Sequence, residues 1–471
     1  MVAGGLSACS LPGGPPAGPR KRVIVVGAGL AGLVAGWELG RAGHDVTIVE
    51  ARGEPGGRVQ TLRAPFADGL YAEAGPIFIP DNHDLTLGYV RLFDLPLEPV
   101  ESRGTGKIYF VRGRRFVVTR GARVTWPVEL TPEEESLGLS GMWQKYIGAA
   151  LEGLGDPRTP GWLADPAIER YDRMNGVEFL RSRGASPGAV ALLTLGYPDL
   201  SGDGLETNSA LLWLRDLALG QTAKQTYAIP GGNDQLPRAF AARMRERILY
   251  EAPVVRIEPG ETAARVVIRR AGAYQMLRAD HVVCALPFSV LRRIEVSPRF
   301  STQKQRAIAD LPYTSVARVY LQCRRKFWQE EGLPSSATTD LAIKWIWEPT
   351  VSQRGPRGIL ESYSAGGPAR EIAAMREADR IAFALDGVAR VYPRLRDSFE
   401  VGASKCWDED PWARGAYAWF RPGQLASLGP HIARAEGRVH FAGEHASTWP
   451  QWMQGALESG LRVAREIDEA P

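Results

Sequence analysis

VIVVGAGLAGLVAGWELGRAGHDVTIVEARGEPGGR, residues 23–58, decides the fold. The β-branched run Val23–Val26 reads as a buried strand that ends at Gly27-x-Gly29-x-x-Gly32. A helical stretch from Leu30 to about Ala42 follows, then a second apolar run, Val46–Val49, closing on Glu50. The Gly56-Gly57-Arg58 triplet completes the unit. Each glycine has its own work: Gly27 turns the chain out of the strand, Gly29 lets backbone approach a pyrophosphate, and Gly32 lets the helix pack against the sheet. The free N–H groups and dipole of the helix start favour a diphosphate. Glu50, eighteen residues past Gly32, stands where a carboxylate can accept hydrogen bonds from an adenosine ribose. The stretch therefore predicts a bound dinucleotide, and by itself it does not separate a nicotinamide from a flavin.

The remaining composition narrows the class. A chain of 471 residues with 44% hydrophobic and 23% charged residues has room for two to three domains and an ample core. A formal charge of +4 is too small over this length to imply a nucleic-acid partner, and clusters such as Arg112, Arg114 and Arg115 read as solvated faces. The four cysteines, Cys9, Cys284, Cys323 and Cys406, have neither metal-ligand spacing nor the density of a disulfide framework. No stretch approaches the roughly 18 apolar residues of a membrane helix, so a cytoplasmic location is expected. Residues 1–20, rich in Gly and Pro, read as disordered. Within them Leu6-Ser7-Ala8-Cys9 resembles a lipoprotein cleavage box, the alternative being an exported protein anchored at Cys9 from an upstream start.

Beyond the opening unit the pattern alternates. A strand pair (Lys107–Val111, Arg115–Thr119) precedes a helical region, in which Leu205–Leu219 has the clearest helical spacing. Strand-like runs return at Ala252–Ile257, Arg265–Arg269 and His281–Leu286, and Val439–Ala442 leads to a closing helix at about Gln454–Ile467. This predicts a discontinuous layout: a cofactor domain from residues 21–100, 230–300 and 401–471, and a substrate domain from 101–229 and 301–400 with a helical subregion at about 130–225.

Phe441-Ala442-Gly443-Glu444-His445 is the second strong motif: a strand ending in glycine and an acid, shortly before the helix opened by Trp452-Met453-Gln454. A helix start of this kind can stabilise negative charge on a reduced flavin ring through backbone N–H groups. With GAGLAGL, VEARGEPGGR, YAEAGPIFIP, YAIPGGNDQLPRAF, HVVCALPFSVLRRIEVSP, RVYLQCRRKFWQEEGL, GAYAWFRPGQ and FAGEHASTWPQWMQGALESG, the chain resembles the flavin-containing amine oxidase family, which includes monoamine, polyamine and L-amino-acid oxidases. The likeness covers nearly everything after residue 20, and RVYLQCRRKFW and PDNHD are most similar to the L-amino-acid oxidase branch.

The resemblance implies a mixed α/β fold with a discontinuous Rossmann-type FAD-binding domain and an inserted substrate domain. It assigns Gly27, Gly29 and Gly32 to the diphosphate, Glu50 to the ribose, and Arg52, Gly57 and Arg58 to the AMP side. Gly75, Pro76, Val254, Gly443, Glu444 and Met453 complete the cofactor set. Where monoamine oxidases carry the cysteine that holds flavin covalently, this chain has Ala416, so non-covalent FAD is expected. Tyr417 and Trp452 match the paired aromatic walls in front of the flavin, and Lys304 matches a lysine that holds a water near flavin N5 and could assist oxygen reduction. His445 is expected to be a neutral hydrogen-bonding residue near the cofactor. Most of the 13 tryptophans, Trp143 and Trp162 among them, are expected to be core.

One departure from the pattern matters for substrate. The segment matching AGPIFIP carries, in the L-amino-acid oxidase branch, an arginine that clamps the substrate carboxylate; here the position is Phe78. The branch's second carboxylate partner is a tyrosine near the position of Trp347 and Glu348; neither is tyrosine here, and an acid such as Glu348 near the site would repel a carboxylate. An unpaired buried carboxylate costs several kcal/mol. The expected substrate is therefore an amine without an α-carboxylate, aromatic or bulky, bounded by Phe78 and Trp347 and oxidised to the imine while O2 becomes H2O2. The alternatives are an L-amino-acid oxidase with another clamp, such as Arg318 or Arg215, and a flavin desaturase or dehydrogenase. A homodimer is left open.

Overall fold

The computed structural model describes residues 18–100, 106–119, 122–159 and 161–470. Cys9 and most of the segment read as disordered lie outside the described residues. Arg22–Val26 forms the central strand of a five-stranded parallel sheet. Asp45–Val49 pairs on one side and His281–Cys284 on the other; Ile248–Leu249 and Val439–Phe441 form the two edges. Val23–Val26 is buried on both faces, which is why the run is continuously apolar rather than alternating. The chain leaves the central strand through helix α1 (Leu30–Arg41) and returns as Asp45–Val49. The strand's other neighbour comes from more than 230 residues later, so the connections diverge at its C-terminal end. In an open parallel sheet that divergence opens a crevice, and Gly27 stands at it.

Two glycines show why the turn tolerates no side chain. Gly27 has φ 100°, and a Cβ at Gly32 would lie 2.0 Å from the Gly27 carbonyl oxygen. Helix α1 is thereby seated against the strand end.

Two further sheets surround this core. A four-stranded sheet orders Ala273–Ala279, Ala264–Arg270, Val254–Glu258 and Glu295–Val296. A seven-stranded sheet is built around Val316–Cys323 and Gly358–Ala365, joined antiparallel over eight residue pairs. Trp345–Trp347 is its middle strand, beside Gly358–Ala365, and the early pair Lys107–Val111 and Arg114–Val118 lies at one edge. Phe399–Cys406 also pairs with Val316–Cys323, so the boundary expected at residue 401 falls inside a strand of the substrate-side sheet. The helical region begins with a capping box, in which Thr131 accepts from the Glu134 N–H while Glu134 bonds back to the Thr131 N–H.

Helix α2 (Ala210–Gly220) starts five residues later than its apolar spacing predicted. Gly204 sits at φ 105° in a turn, and the helix begins only past Ser209, whose hydroxyl donates to Asp172 instead of capping. The last helix, α3 (Met453–Asp468), packs against α1, where Gly460 brings the two backbones together: a Cβ there would lie 2.2 Å from the Ala31 oxygen. The two ends of the chain therefore build one body. Among the described residues no helix is long and apolar enough to cross a membrane.

Candidate active site

A cavity of about 300 Å³ runs from the end of the central strand to the seven-stranded sheet. At one end it is lined by Gly27, Gly29, Glu50, Arg52, Gly57, Arg58 and Val254. Further along come Gly75, Pro76, Phe78, Ala416, Tyr417, Gly443, Glu444, Trp452 and Met453. Gly32 shapes the turn from behind. Lys304 and Trp347, like Gly32, are expected site residues that do not line this cavity.

Glu50 fixes the geometry of the glycine turn. Its carboxylate accepts from the Ala28 N–H at 2.7 Å and the Arg52 N–H at 2.9 Å. Burial raises its pKa above the usual glutamate value, and the two backbone N–H groups work against that rise. Arg52 reaches across to Asp410 at 2.5 Å, tying this end to the substrate-side chain.

Glu444 is the junction of the site. One carboxylate oxygen accepts from Arg58 at 2.9 Å and the Ala418 N–H at 3.1 Å; the other accepts from the Gln451 N–H at 2.8 Å. Arg58 also donates to the Ala416 carbonyl at 2.7 Å. A single acid thus aligns the Gly56–Arg58 loop, the strand of Tyr417 and the loop before α3. Ala416 offers no thiol to a cofactor, and the three described cysteines, all buried, lie outside the cavity lining.

Tyr417 and Trp452 both reach the cavity wall. Tyr417 donates its hydroxyl to the Leu200 carbonyl at 2.6 Å and stands 3.0 Å from the Tyr363 hydroxyl. Because the Tyr417 proton is committed to Leu200, the Tyr363 O–H is the donor between the two. Trp452 donates its indole N–H to Asp216 at 2.9 Å. His83, from the PDNHD segment, braces it edge-on at 5.0 Å, and burial keeps that imidazole neutral with its pKa lowered to about 3.

Phe78 lines the cavity and packs edge-to-face on Trp347 at 5.2 Å. Trp347 stands behind it, and the indole at the wall is Trp345, stacked on Trp347 at 5.9 Å. The two tryptophans stand two residues apart on one face of a strand, and Trp345 is the one that lines the cavity. Glu348 points elsewhere, accepting from Trp328 at 2.9 Å and pairing with Lys326 at 3.2 Å, so it does not charge the site. A tyrosine from the neighbouring strand, Tyr363, whose strand partner is Trp345, does line the cavity.

Lys304 is the clearest correction. Its ammonium is buried, donates to the Ile432 carbonyl at 2.7 Å and sits 3.6 Å from the Phe441 ring centre. Burial lowers its pKa to about 7. His445 is likewise set apart: it is neutral, packs on Phe288 at 4.6 Å, and both ring nitrogens are buried without a partner. The cation that reaches the cavity beside Phe78 and Tyr363 is Arg318. It donates to Glu361 at 2.6 Å and to the Gly75 carbonyl at 2.5 Å, and its remaining Nη2 has no partner. Burial opposes its charge, but the adjacent Glu361 carboxylate outweighs this and holds its pKa above the usual arginine range. Arg215 is buried next to the cavity-lining Asp216 but does not itself line the wall.

Sequence reading missed Trp345, Tyr363, Asp216, Asn208 and Trp213 as wall residues. The helical spacing of Leu212, Trp213 and Asp216 was available, but nothing local said that this face of α2 would meet the cavity.

The comparisons with known proteins agree with this geometry. Residues 30–468 match the family model of flavin-containing amine oxidoreductases. The chain is 34% identical to YobN of Bacillus subtilis (strain 168), whose name assigns it provisionally to the L-amino-acid oxidases, over all of this chain and 98% of that protein. It is 31% identical to the flavin-dependent L-tryptophan oxidase of Lentzea aerocolonigenes, over 95% of this chain and 98% of that one. The solved cyclohexylamine oxidase of Brevibacterium oxydans shares the fold, with a TM-score of 0.79 at 23% identity over 96% of this chain and 99% of that one. The glycine turn, the Glu444 junction built from both chain ends and the match over residues 30–468 together place this chain in the flavin-containing amine oxidoreductase family, an oxidoreductase with FAD as its cofactor.

Proposed function

We propose that the protein oxidises the C–N bond of an amine lacking an α-carboxylate, aromatic or bulky and apolar, to the imine, with O2 reduced to H2O2. The observation that carries this reading is the charge balance of the cavity wall. Phe78 offers a ring where a carboxylate would need a cation, and the nearby Arg318 guanidinium is already neutralised by Glu361 at 2.6 Å.

FAD, when bound, supplies the hydride acceptor and the route for electrons to O2. Gly27, Gly29, Gly32 and Gly57 would leave room for its diphosphate, Glu50 and Arg52 would hold the ribose side, and Val254 the adenine. Gly75, Pro76, Gly443, Glu444 and Met453 would frame the flavin end. The protein's own task is to present the amine. An ammonium entering between Tyr417 and Trp452 gains cation–π attraction from the rings. The apolar wall of Phe78, Leu200, Leu212, Trp345 and Tyr363 then favours its neutral form by desolvation. The same wall excludes water from the reacting carbon.

A second reading has one specific observation in its favour. Arg318 keeps an unpartnered Nη2, its guanidinium carbon lies 4.9 Å from the Tyr363 ring centre, and a guanidinium beside a tyrosine could receive an α-carboxylate. The named relatives at 31–34% identity are L-amino-acid oxidases and point the same way. Peroxide release by the FAD-loaded enzyme, measured on amines and on the L-amino acids that carry the same side chains, decides between the two. Faster turnover of the amino acids would overturn the proposal.

A further inference from the structure

The cavity wall opposite the glycine turn carries polar atoms that the amine chemistry leaves unused. Asn208 lines the cavity and is 1% exposed, yet neither its amide oxygen nor its amide nitrogen has a hydrogen-bond partner. Trp213 lines the same cavity at 5% exposed, and its indole N–H is also without one. Such orphans cost about 1–3 kcal/mol each, and native structures hold few of them.

Their placement is not accidental to the helix. Ser209 occupies the N-cap position of α2 with its hydroxyl turned to Asp172, so Asn208 precedes that position and Trp213 is the fourth helical residue. These are the positions at which an apolar pair ordinarily staples the entry of the chain. Here both carry polar atoms. Ser209 and Trp452 are each already engaged, with Asp172 and Asp216, and Ser201 accepts from Gln451 at 3.0 Å. The unanswered valences at this end of the cavity therefore belong to Asn208 and Trp213.

We infer that Asn208 and Trp213 form a polar pole that reads the remote end of the substrate, and that this end is a neutral group with both an acceptor and a donor, of the carboxamide kind. Asn208 supplies one acceptor and a two-hydrogen donor, and Trp213 supplies a donor only, so a hydrocarbon end leaves all of them unpaired. Asp216, one turn further along α2 on the same cavity wall, brings negative charge and disfavours a remote carboxylate. The inference rests on the reading of the cavity as an amine site, and it adds the substrate's far end to it.

The test uses FAD-loaded enzyme and two amines identical except at that end, one closing in a carboxamide and the other in the isosteric isopropyl group. The wild-type protein is expected to favour the carboxamide by about tenfold or more in kcat/KM, since a site with unpaired donors rejects the analogue that cannot fill them. Asn208→Leu should remove most of that ratio. Trp213→Phe, which deletes only the N–H and part of the ring, should lower it about threefold. Binding of an α-quaternary amine carboxamide, which cannot be oxidised, is followed through the flavin absorbance and should weaken in parallel. A wild-type ratio near one, or a ratio that both variants leave unchanged within twofold, overturns the inference. Should the enzyme instead consume amino acids, the amine reading fails by itself. The pole is then tested on asparagine and leucine, whose side chains form the same isosteric pair.

Discussion

Phe78→Arg puts the substrate reading under the most direct strain. Beside Phe78 the Arg318 guanidinium pairs with Glu361 at 2.6 Å, so that pair carries no net charge. Phe78 packs on Trp347, and the Trp347 indole itself donates to Glu361 at 2.8 Å. An arginine at position 78 would therefore share Glu361 with Arg318 and leave the wall with one uncompensated positive charge. Losing the Phe78–Trp347 ring pair costs about 0.5–1.5 kcal/mol. Against that, a carboxylate entering the site would gain charge-assisted hydrogen bonds of about 1.5–3 kcal/mol each. The net expectation is a rise of about 10- to 100-fold in kcat/KM for an L-amino acid. The matching amine should fall by about tenfold or more, because the added charge repels its ammonium. The assay is peroxide release for the amine and for the amino acid with the same side chain, in wild type and variant. If wild type already prefers the amino acid, or if the variant leaves the amino-acid-to-amine ratio unchanged within about threefold, the charge argument is wrong.

Further outcomes follow from other parts of the site. Glu444→Gln removes the carboxylate that joins Arg58, Ala418 and Gln451. Breaking one side of a largely buried pair costs about 2–4 kcal/mol once the partial exposure of Arg58 is discounted, and the purified variant should lose its flavin colour on gel filtration. Tyr417→Phe deletes the hydroxyl between Tyr363 and the Leu200 carbonyl; a loss of about 1–2 kcal/mol should appear as a lower Tm, with KM raised more than kcat is lowered. Lys304→Met gives a pH signature. The Lys304 pKa in the folded protein, about 7, lies below its ordinary value of 10.5, so the unfolded chain binds more protons between these limits and stability contributed by this group rises with pH across that window. The variant should lose that rise, matching or exceeding wild type near pH 7 and gaining less by pH 9 in denaturant titrations. Because the ammonium faces Ile432 and Phe441, its rate of flavin reoxidation by O2 should stay within about twofold of wild type; a drop of 100-fold would restore Lys304 to the oxygen chemistry.

The legible parts of the chain were those whose chemistry is local. Gly27–Gly32 with Glu50 could be read because a turn, a helix start and an acid at fixed spacing are consequences of neighbouring residues, and the Glu50 carboxylate bonds only to Ala28 and Arg52 nearby. Gly443-Glu444 and Trp452 were legible through the motif they form and its resemblance to the amine oxidases, although their partners Arg58 and Asp216 lie far away in sequence. Lys304 was not: its helix spacing and polar neighbours fit an exposed or a catalytic lysine equally well, and burial against Phe441 depends on strands far away in sequence. Trp345 and Trp347 alternate with the same period, so no pattern within WIW could rank them.

The sequence by itself determined, from residue type and short-range spacing, that a dinucleotide site lies at the end of the first strand. Its resemblance to the amine oxidases implied FAD held without a thiol at Ala416, and Phe78 where the amino-acid oxidases carry a clamp. Only the tertiary structure decided that Arg318 reaches the cavity paired with Glu361, and that Tyr363 and Trp345 are part of its wall. It also brought the Asn208–Trp213 face of α2 to that wall. Those residues come from separate strands and helices, and their meeting depends on sheet register and on the closure of both chain ends through α1 and α3, which no local pattern encodes.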